Sequence, residues 1–302
     1  MDPQNKRYLI VQADDAGLWV AVNNGISQTI NNGVVNSVSM MATCANYRGM
    51  AQVVGSHDHV SMEVHGVGTA EWDSYSWKPL TRAVCLTDPK TGFMYKSEAD
   101  VLKAFNQSQL SQYRGELNAQ ISAISTYGEV SSLNTHMNTW FANAHLMAAY
   151  LESARTNNIL PMLMKPDSRF MKQQVEYFKG GKFEEGLKAT LCVLDSLKDK
   201  EFMLDDMVIR VDGLDYTTRM EDYKREIGGF GVGVNQVSIH PGTLDNVNGF
   251  YLPDIMGEER ATKRDLDRQI FTSDEMRDFL ESEGFELINW ARVKQFVDEK
   301  SD

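Results

Sequence analysis

Tyr8-Leu9-Ile10-Val11-Gln12-Ala13, running directly into Asp14-Asp15, decides how the chain is read. A continuous apolar run that stops at two acids reads as a strand covered on both faces, as in a parallel sheet, with polar groups delivered at its C-terminal end. A helix must then carry the chain back. Val20–Ile30 supplies apolar positions at helical spacing, and Asn31-Asn32-Gly33 stops it before the β-rich run Val34–Met41.

The alternation continues with a helix around Tyr47–Val54 and a strand at Val60–His65. Residues 66 to 96 hold Pro79, Pro89 and Gly92 without periodicity, and a loop of this length in a compact domain reads as a functional cover. Next come one long helix over Glu98–Ser125, a strand at Ser131–His136, a helix at Ala144–Asn157 and a strand at Ile159–Met164. Further strands are predicted at Met207–Val211, Asn235–His240 and Phe285–Ile288, and helices at Glu258–Phe271, Ser273–Glu283 and from Asn289. Repeated β-then-α units imply a single-domain α/β fold, a (β/α) barrel-like arrangement of parallel strands with outer helices. No composition shift, linker or repeat divides residues 1–302.

Composition narrows the function classes. With 42% hydrophobic and 24% charged residues the chain resembles ordinary globular proteins. The balance of 30 basic against 42 acidic residues gives −12, a field that repels nucleic acid and anionic lipid and favours neutral or cationic ligands. No span approaches the ~20 apolar residues of a membrane helix. Cys44, Cys85 and Cys192 are odd in number and scattered, which fits a reducing compartment, so the expected location is the cytoplasm.

The predicted strands end in metal-capable side chains: Asp14-Asp15 after the first, His65 after the third, His136 near the middle and His240 in Ile239-His240-Pro241-Gly242. In a parallel α/β barrel the C-terminal strand ends converge on one face. One Asp and two His with open positions suit a hydrolytic ion, because such a set leaves Lewis acidity intact. If Asp15 ligates, Asp14 points elsewhere and is free to act as general base. Each residue alone has a plainer reading: an acidic pair as a helix N-cap, a lone His as a hydrogen-bonded structural group. Their joint placement at strand ends favours the site.

These residues resemble the YdjC-like carbohydrate deacetylases of the chitooligosaccharide deacetylase type. Leu9-Ile10-Val11-Gln12-Ala13-Asp14-Asp15-Ala16-Gly17 is similar to that family's opening strand, and Asn32-Gly33-Val34-Val35-Asn36-Ser37-Val38-Ser39-Met40-Met41 to its second segment. Glu63-Val64-His65, Asn134-Thr135-His136-Met137 and His240-Pro241-Gly242 fall on its later motifs. The resemblance implies a divalent ion, magnesium or zinc, on Asp15, His65 and His136. It also implies Asp14 as base, a barrel-like and often dimeric protein, and N-deacetylation of sugars containing N-acetylglucosamine. His240 is the candidate acid for the leaving amine. Asn134, Trp72, Trp77 and Trp140 are candidate sugar contacts, since sugar faces stack on indole rings.

Departures cluster around the ligands: Ser132 stands where the family has His, Asn134 where it has Asp, Ala16 where it has Phe and Glu63 where it has Gly. Ser132 and Asn134 motivate an alternative, a sugar-binding protein of the same fold without turnover. A phosphoesterase on the same barrel is disfavoured by the net charge and by the lack of arginines beside the motifs.

Overall fold

The computed structural model describes residues 1–181, 183–246 and 251–301. The chain runs β1 (Arg7–Ala16), α1 (Val20–Asn32), β2 (Ser37–Met40), α2 (Tyr47–Gly55), β3 (Ser61–Gly66), α3 (Glu98–Ala104), α4 (Leu110–Ser125), β4 (Val130–Thr135), α5 (Ala144–Thr156) and β5 (Leu160–Pro161). It continues through α6 (Arg169–Phe178), α7 (Glu184–Leu197), β6 (Asp206–Val208), α8 (Tyr216–Gly228), β7 (Gly233–Ile239), α9 (Pro253–Met256), α10 (Glu258–Phe271), α11 (Asp274–Ser282), β8 (Phe285–Leu287) and α12 (Trp290–Ser301). The strands form one parallel sheet in the order β5-β4-β3-β2-β1-β7-β6, with β8 pairing the first residues of β1 ahead of β2. This is the expected single α/β domain, a curled half-barrel of parallel strands inside a layer of helices. One parallel bridge, Met164 to Leu204, spans the gap between the β5 side and the β6 side.

Strand alternation divides the buried side chains by chemistry. Leu9, Val11 and Ala13 of β1, Val64 of β3, Leu133 of β4 and Val237 and Ile239 of β7 are fully buried against the helical layer. The interior positions are mostly polar instead: Gln12 and Asp14, Ser37 and Ser39, Ser61, Glu63 and His65, Ser132 and Asn134, Gln236 and Ser238, all buried. Buried polar groups need partners, and α12 supplies them at the N-terminal end of the strands. The Trp290 indole donates to Gln12 Oε1 and Gln236 Oε1, and its backbone N–H to Ser37 Oγ and Ser61 Oγ. Trp290 therefore plugs a polar shaft whose other mouth is the C-terminal rim.

Several elements differ from the sequence expectation: α6, α7 and α8 lie where none was predicted, and β6 covers Asp206–Val208 rather than Met207–Val211. The predicted helix Glu98–Ser125 is broken: Phe105 turns extended, and Asn106 accepts from Ser108 N–H, a side-chain bond that competes with helix and restarts it as α4. The predicted strand Ile159–Met164 is regular only over Leu160–Pro161; beyond it Met162 N–H still donates to Leu133 O, and Met164 bridges to Leu204 instead of continuing along β4. Among the described residues no helix is long and apolar enough to cross a membrane.

Candidate metal centre and active-site cleft

The end of β1 decides the site. Consecutive strand residues ordinarily face opposite sides, so Asp14 and Asp15 should diverge. At Asp15 the backbone adopts φ +63°, and the β1–β2 register is irregular between Ala13 and Ala16. Such a departure re-aims side chains, and both aspartates line one cleft. Gly17 follows at φ +95°, where a Cβ would lie 2.6 Å from Tyr47 Cα, so the turn into α1 requires glycine.

Asp15, His65 and His136 are buried and converge. Asp15 Oδ1 lies 3.3 Å from His65 Nε2 and 3.3 Å from His136 Nδ1, and those two nitrogens are 3.2 Å apart. The outer nitrogens are committed elsewhere: His65 Nδ1–H donates to Asn134 Oδ1 at 2.6 Å, and His136 Nε2–H donates to Glu71 Oε2 at 3.0 Å. These acceptors fix both tautomers, so three lone-pair atoms face one another. Asp15 Oδ1 is buried with no hydrogen-bond partner. Ligand bonds of about 2.1 Å put neighbouring donor atoms on one ion roughly 3.0 to 3.4 Å apart, so the donor set and its spacing fit a divalent cation.

The electrostatics agree. Burial would raise the Asp15 pKa, but the Arg264 guanidinium, which donates to Oδ2, and both histidines hold it well below the usual carboxylate range. Burial would lower that of His136, yet the charges of Glu71 and Asp15 outweigh it and push it up to about 10. The carboxylates that favour a proton on His136 in the metal-free state would equally favour a cation in that proton's place.

Asp14 Oδ1 accepts from Gln12 Nε2 at 2.7 Å and from Asn134 Nδ2 at 3.4 Å. Asn134 Oδ1 also accepts from Ser39 Oγ at 2.7 Å. The amide thus joins His65 to Asp14 as acceptor on one side and donor on the other; a carboxylate at that position would face the Asp14 carboxylate unpartnered. His240 follows β7, held by its backbone N–H to Asp267 Oδ2 at 3.1 Å. Its turn packs against α1, where a Cβ on Gly25 would meet Gly242 Cα at 2.5 Å. Burial, reinforced by Arg264, keeps its imidazole below the usual histidine range despite the nearby carboxylates.

The cleft over these groups holds about 330 Å³. Trp72 lines it, with the Arg260 guanidinium 5.2 Å from its ring centre. Trp77 and Trp140, expected as sugar contacts, sit in the core instead: Trp77 donates to Thr69 O and Trp140, fully buried, to Gly66 O. Both indoles brace the ends of the strands rather than facing the cleft.

The sequence profile of the YdjC-like protein family matches residues 8–282, from the start of the β1 run through α11. The chain belongs to the YdjC-like family. Among its YdjC-like relatives, a carbohydrate deacetylase of Vibrio parahaemolyticus is 23% identical over 286 residues, 94% of this chain and 96% of the relative. A carbohydrate deacetylase of Thermoanaerobacter pseudethanolicus is 22% identical over 305 residues, 95% of this chain and 100% of the relative. A solved structure from Enterococcus faecalis V583, named for cellobiose-phosphate cleavage, has the same fold at TM-score 0.70 and 20% identity, covering 96% of this chain and 99% of its own.

Several cleft residues of this YdjC-like chain escaped sequence reasoning. Arg210, Arg260 and Arg264 line the cleft although no arginine stands beside the strand-end motifs, because β6 and α10 bring them there from the C-terminal half. Glu71 lies in the loop after β3, and its place six residues beyond His65 is the one sequence signal that points to it. Asp267 sits one helical turn from Arg264 on α10.

Proposed function

We propose that this chain is a metal-dependent carbohydrate N-deacetylase, hydrolysing the N-acetyl group of a mono- or oligosaccharide containing N-acetylglucosamine and releasing acetate. The observation that carries this reading is the triangle of Asp15 Oδ1, His65 Nε2 and His136 Nδ1 beside a second carboxylate, Asp14, in one cleft. The names carried by the Vibrio and Thermoanaerobacter relatives support it.

A magnesium or zinc ion on those three residues would supply Lewis acidity to the amide carbonyl and lower the pKa of water at the site. Asp14 accepts the proton of the attacking water; Gln12 and Asn134 hold its Oδ1 and leave Oδ2 for that task. Arg264 neutralises Asp15 through Oδ2 so that Oδ1 stays aimed at the histidines. His240, held neutral by burial, passes to the leaving amine the proton that Asp14 takes from the attacking water. Trp72 offers a ring face to the sugar. The neutral Asn134 still orients His65, which favours turnover over the binding-only alternative.

The test is acetate release from N-acetylglucosamine and its oligomers by chelator-treated protein resupplied with magnesium or zinc. Ion-dependent release is the expected result; no release from any of these sugars with either ion, in protein that binds the ion, would leave the binding-only reading. For His240, the His240→Ala variant should recover rate on an amide with an activated leaving group, and equal loss on both substrates would remove the acid role.

A further inference from the structure

Beside the metal centre lies a second cavity of about 110 Å³ that the deacetylase reading does not use. Its mouth is shared with the cleft at Met137, Phe141 and Phe170, and its far side is formed by the half-exposed Phe178 of α6 and Leu187 of α7 and by the buried Leu194. Glu98 and Asn138 are polar groups at its rim. Met137 and Asn138 directly follow His136 and both hold positive φ, 52° and 55°, so the chain is bent sharply just where the chamber opens beside a metal-capable side chain.

The opposite wall of the cleft is of another kind. Trp72, Arg210, His240, Arg260 and Arg264 line a polar groove that shares no lining residue with the apolar chamber. An amide held with its carbonyl at the Asp15–His65–His136 triangle has two substituents pointing in different directions. The nitrogen and its sugar belong with His240 and the arginine groove. The group on the carbonyl carbon is left with the side that begins at His136 and Met137.

Resting on the deacylation reading, we propose that the chamber between the turn after β4 and helices α6 and α7 is an acyl pocket, and that the substrate class is N-acyl amino sugars whose acyl chain is longer than acetyl. An acetyl methyl ends one bond beyond the carbonyl carbon, whereas a chain of four to six carbons enters the chamber. The reaction is the same hydrolysis: the C–N bond breaks, a C–O bond to the water oxygen forms, the amine takes the proton, and a short-chain carboxylate replaces acetate.

The experiment compares N-acetyl-, N-butyryl- and N-hexanoylglucosamine on the ion-loaded enzyme. Each added methylene that enters the chamber should raise kcat/KM about fourfold, ~0.8 kcal/mol. Leu187→Trp, which fills the chamber, should lower the hexanoyl-to-acetyl ratio, and Phe178→Ala, which widens it, should raise that ratio; opposite shifts are not what general destabilisation gives. A monotonic fall from acetyl upward, with the ratio unmoved in both variants, overturns the acyl pocket and leaves deacetylation standing. If no amide is hydrolysed, the deacylase reading fails, and calorimetry on the same protein decides the pocket. Tighter binding of N-hexanoyl- than N-acetylglucosamine, lost in Leu187→Trp, supports the pocket, and equal binding overturns it.

Discussion

The two mouths of the polar shaft are built from the same strands and the same alternation, yet they end differently. At the N-terminal mouth, Trp290 meets Gln12, Gln236, Ser37 and Ser61, and every one of those groups gains a partner. At the C-terminal mouth, Asp15 Oδ1 is left without one, Asp15, Met137 and Asn138 carry left-handed backbone, and three lone-pair atoms crowd within 3.3 Å. Burial alone therefore does not distinguish the two mouths; what distinguishes them is whether the protein completes its own hydrogen bonds. The mouths are also connected, since Trp290 donates to Gln12, Gln12 to Asp14, and Asn134 bridges Asp14 to His65.

The largest effect should come from the incomplete mouth. His136→Ala removes one of three converging donors, so elemental analysis of the purified variant should find the divalent ion gone and acetate release at background. Full occupancy would mean that the triangle is a hydrogen-bonded cluster like the other end. Asp14→Asn keeps shape and ion while kcat falls by roughly 10² to 10⁴, the usual contribution of a general base; wild-type kcat would take Asp14 out of the chemistry.

Between the mouths sits Glu63, whose carboxyl accepts from Ser61 and whose Oε2 has no partner. Burial pushes its pKa from 4.5 up to about 8. The folded state then holds this proton more tightly than the unfolded chain, so the group's contribution is intact below about pH 4.5 and is lost as pH rises through about 8. Denaturant unfolding of the metal-free protein should find Glu63→Gln gaining on wild type from pH 5 to pH 8, by an amount on the order of a few kcal/mol. A difference that stays flat with pH would show the carboxylate to be solvated.

The smallest effect belongs to the completed mouth. Trp290→Phe deletes one donor and strands two amide oxygens, which costs about 1 to 3 kcal/mol in unfolding free energy. Metal affinity should hold within a few-fold. If it collapses instead, the line of bonds through Gln12 and Asp14 couples the two ends more tightly than their separate geometries require.

Much of this organisation is legible from local sequence. The β1 run, its two acids, the α10 limits at Glu258–Phe271 and the strand ends at His65 and His136 follow from periodicity and from which side chains interrupt it. What escapes is set by long-range packing or by single backbone angles. Arg264 reaches Asp15 across 249 residues of sequence, the left-handed turn at Asp15 leaves no composition signal, and the break at Asn106 depends on one side chain outcompeting a helix. The tryptophans misled for a related reason: an indole beside a motif reads alike whether its N–H finds a strand-end carbonyl, as in Trp140, or its ring lines a cleft, as in Trp72.

The pairing of β1 has a consequence for synthesis. This strand lies in the interior of the sheet, yet its partner β7 begins at Gly233 and β8 at Phe285, so a ribosome releases more than two hundred residues before one edge of Tyr8–Ala13 can be covered. Throughout that interval an apolar, β-forming segment stands with open hydrogen-bonding groups, the state in which nascent chains stick to one another. Gln12 and Asp14 interrupt that exposure with polar side chains on the face that later becomes the shaft. The polar groups that line the shaft of the finished protein thus also break up the apolar run of the unfinished one.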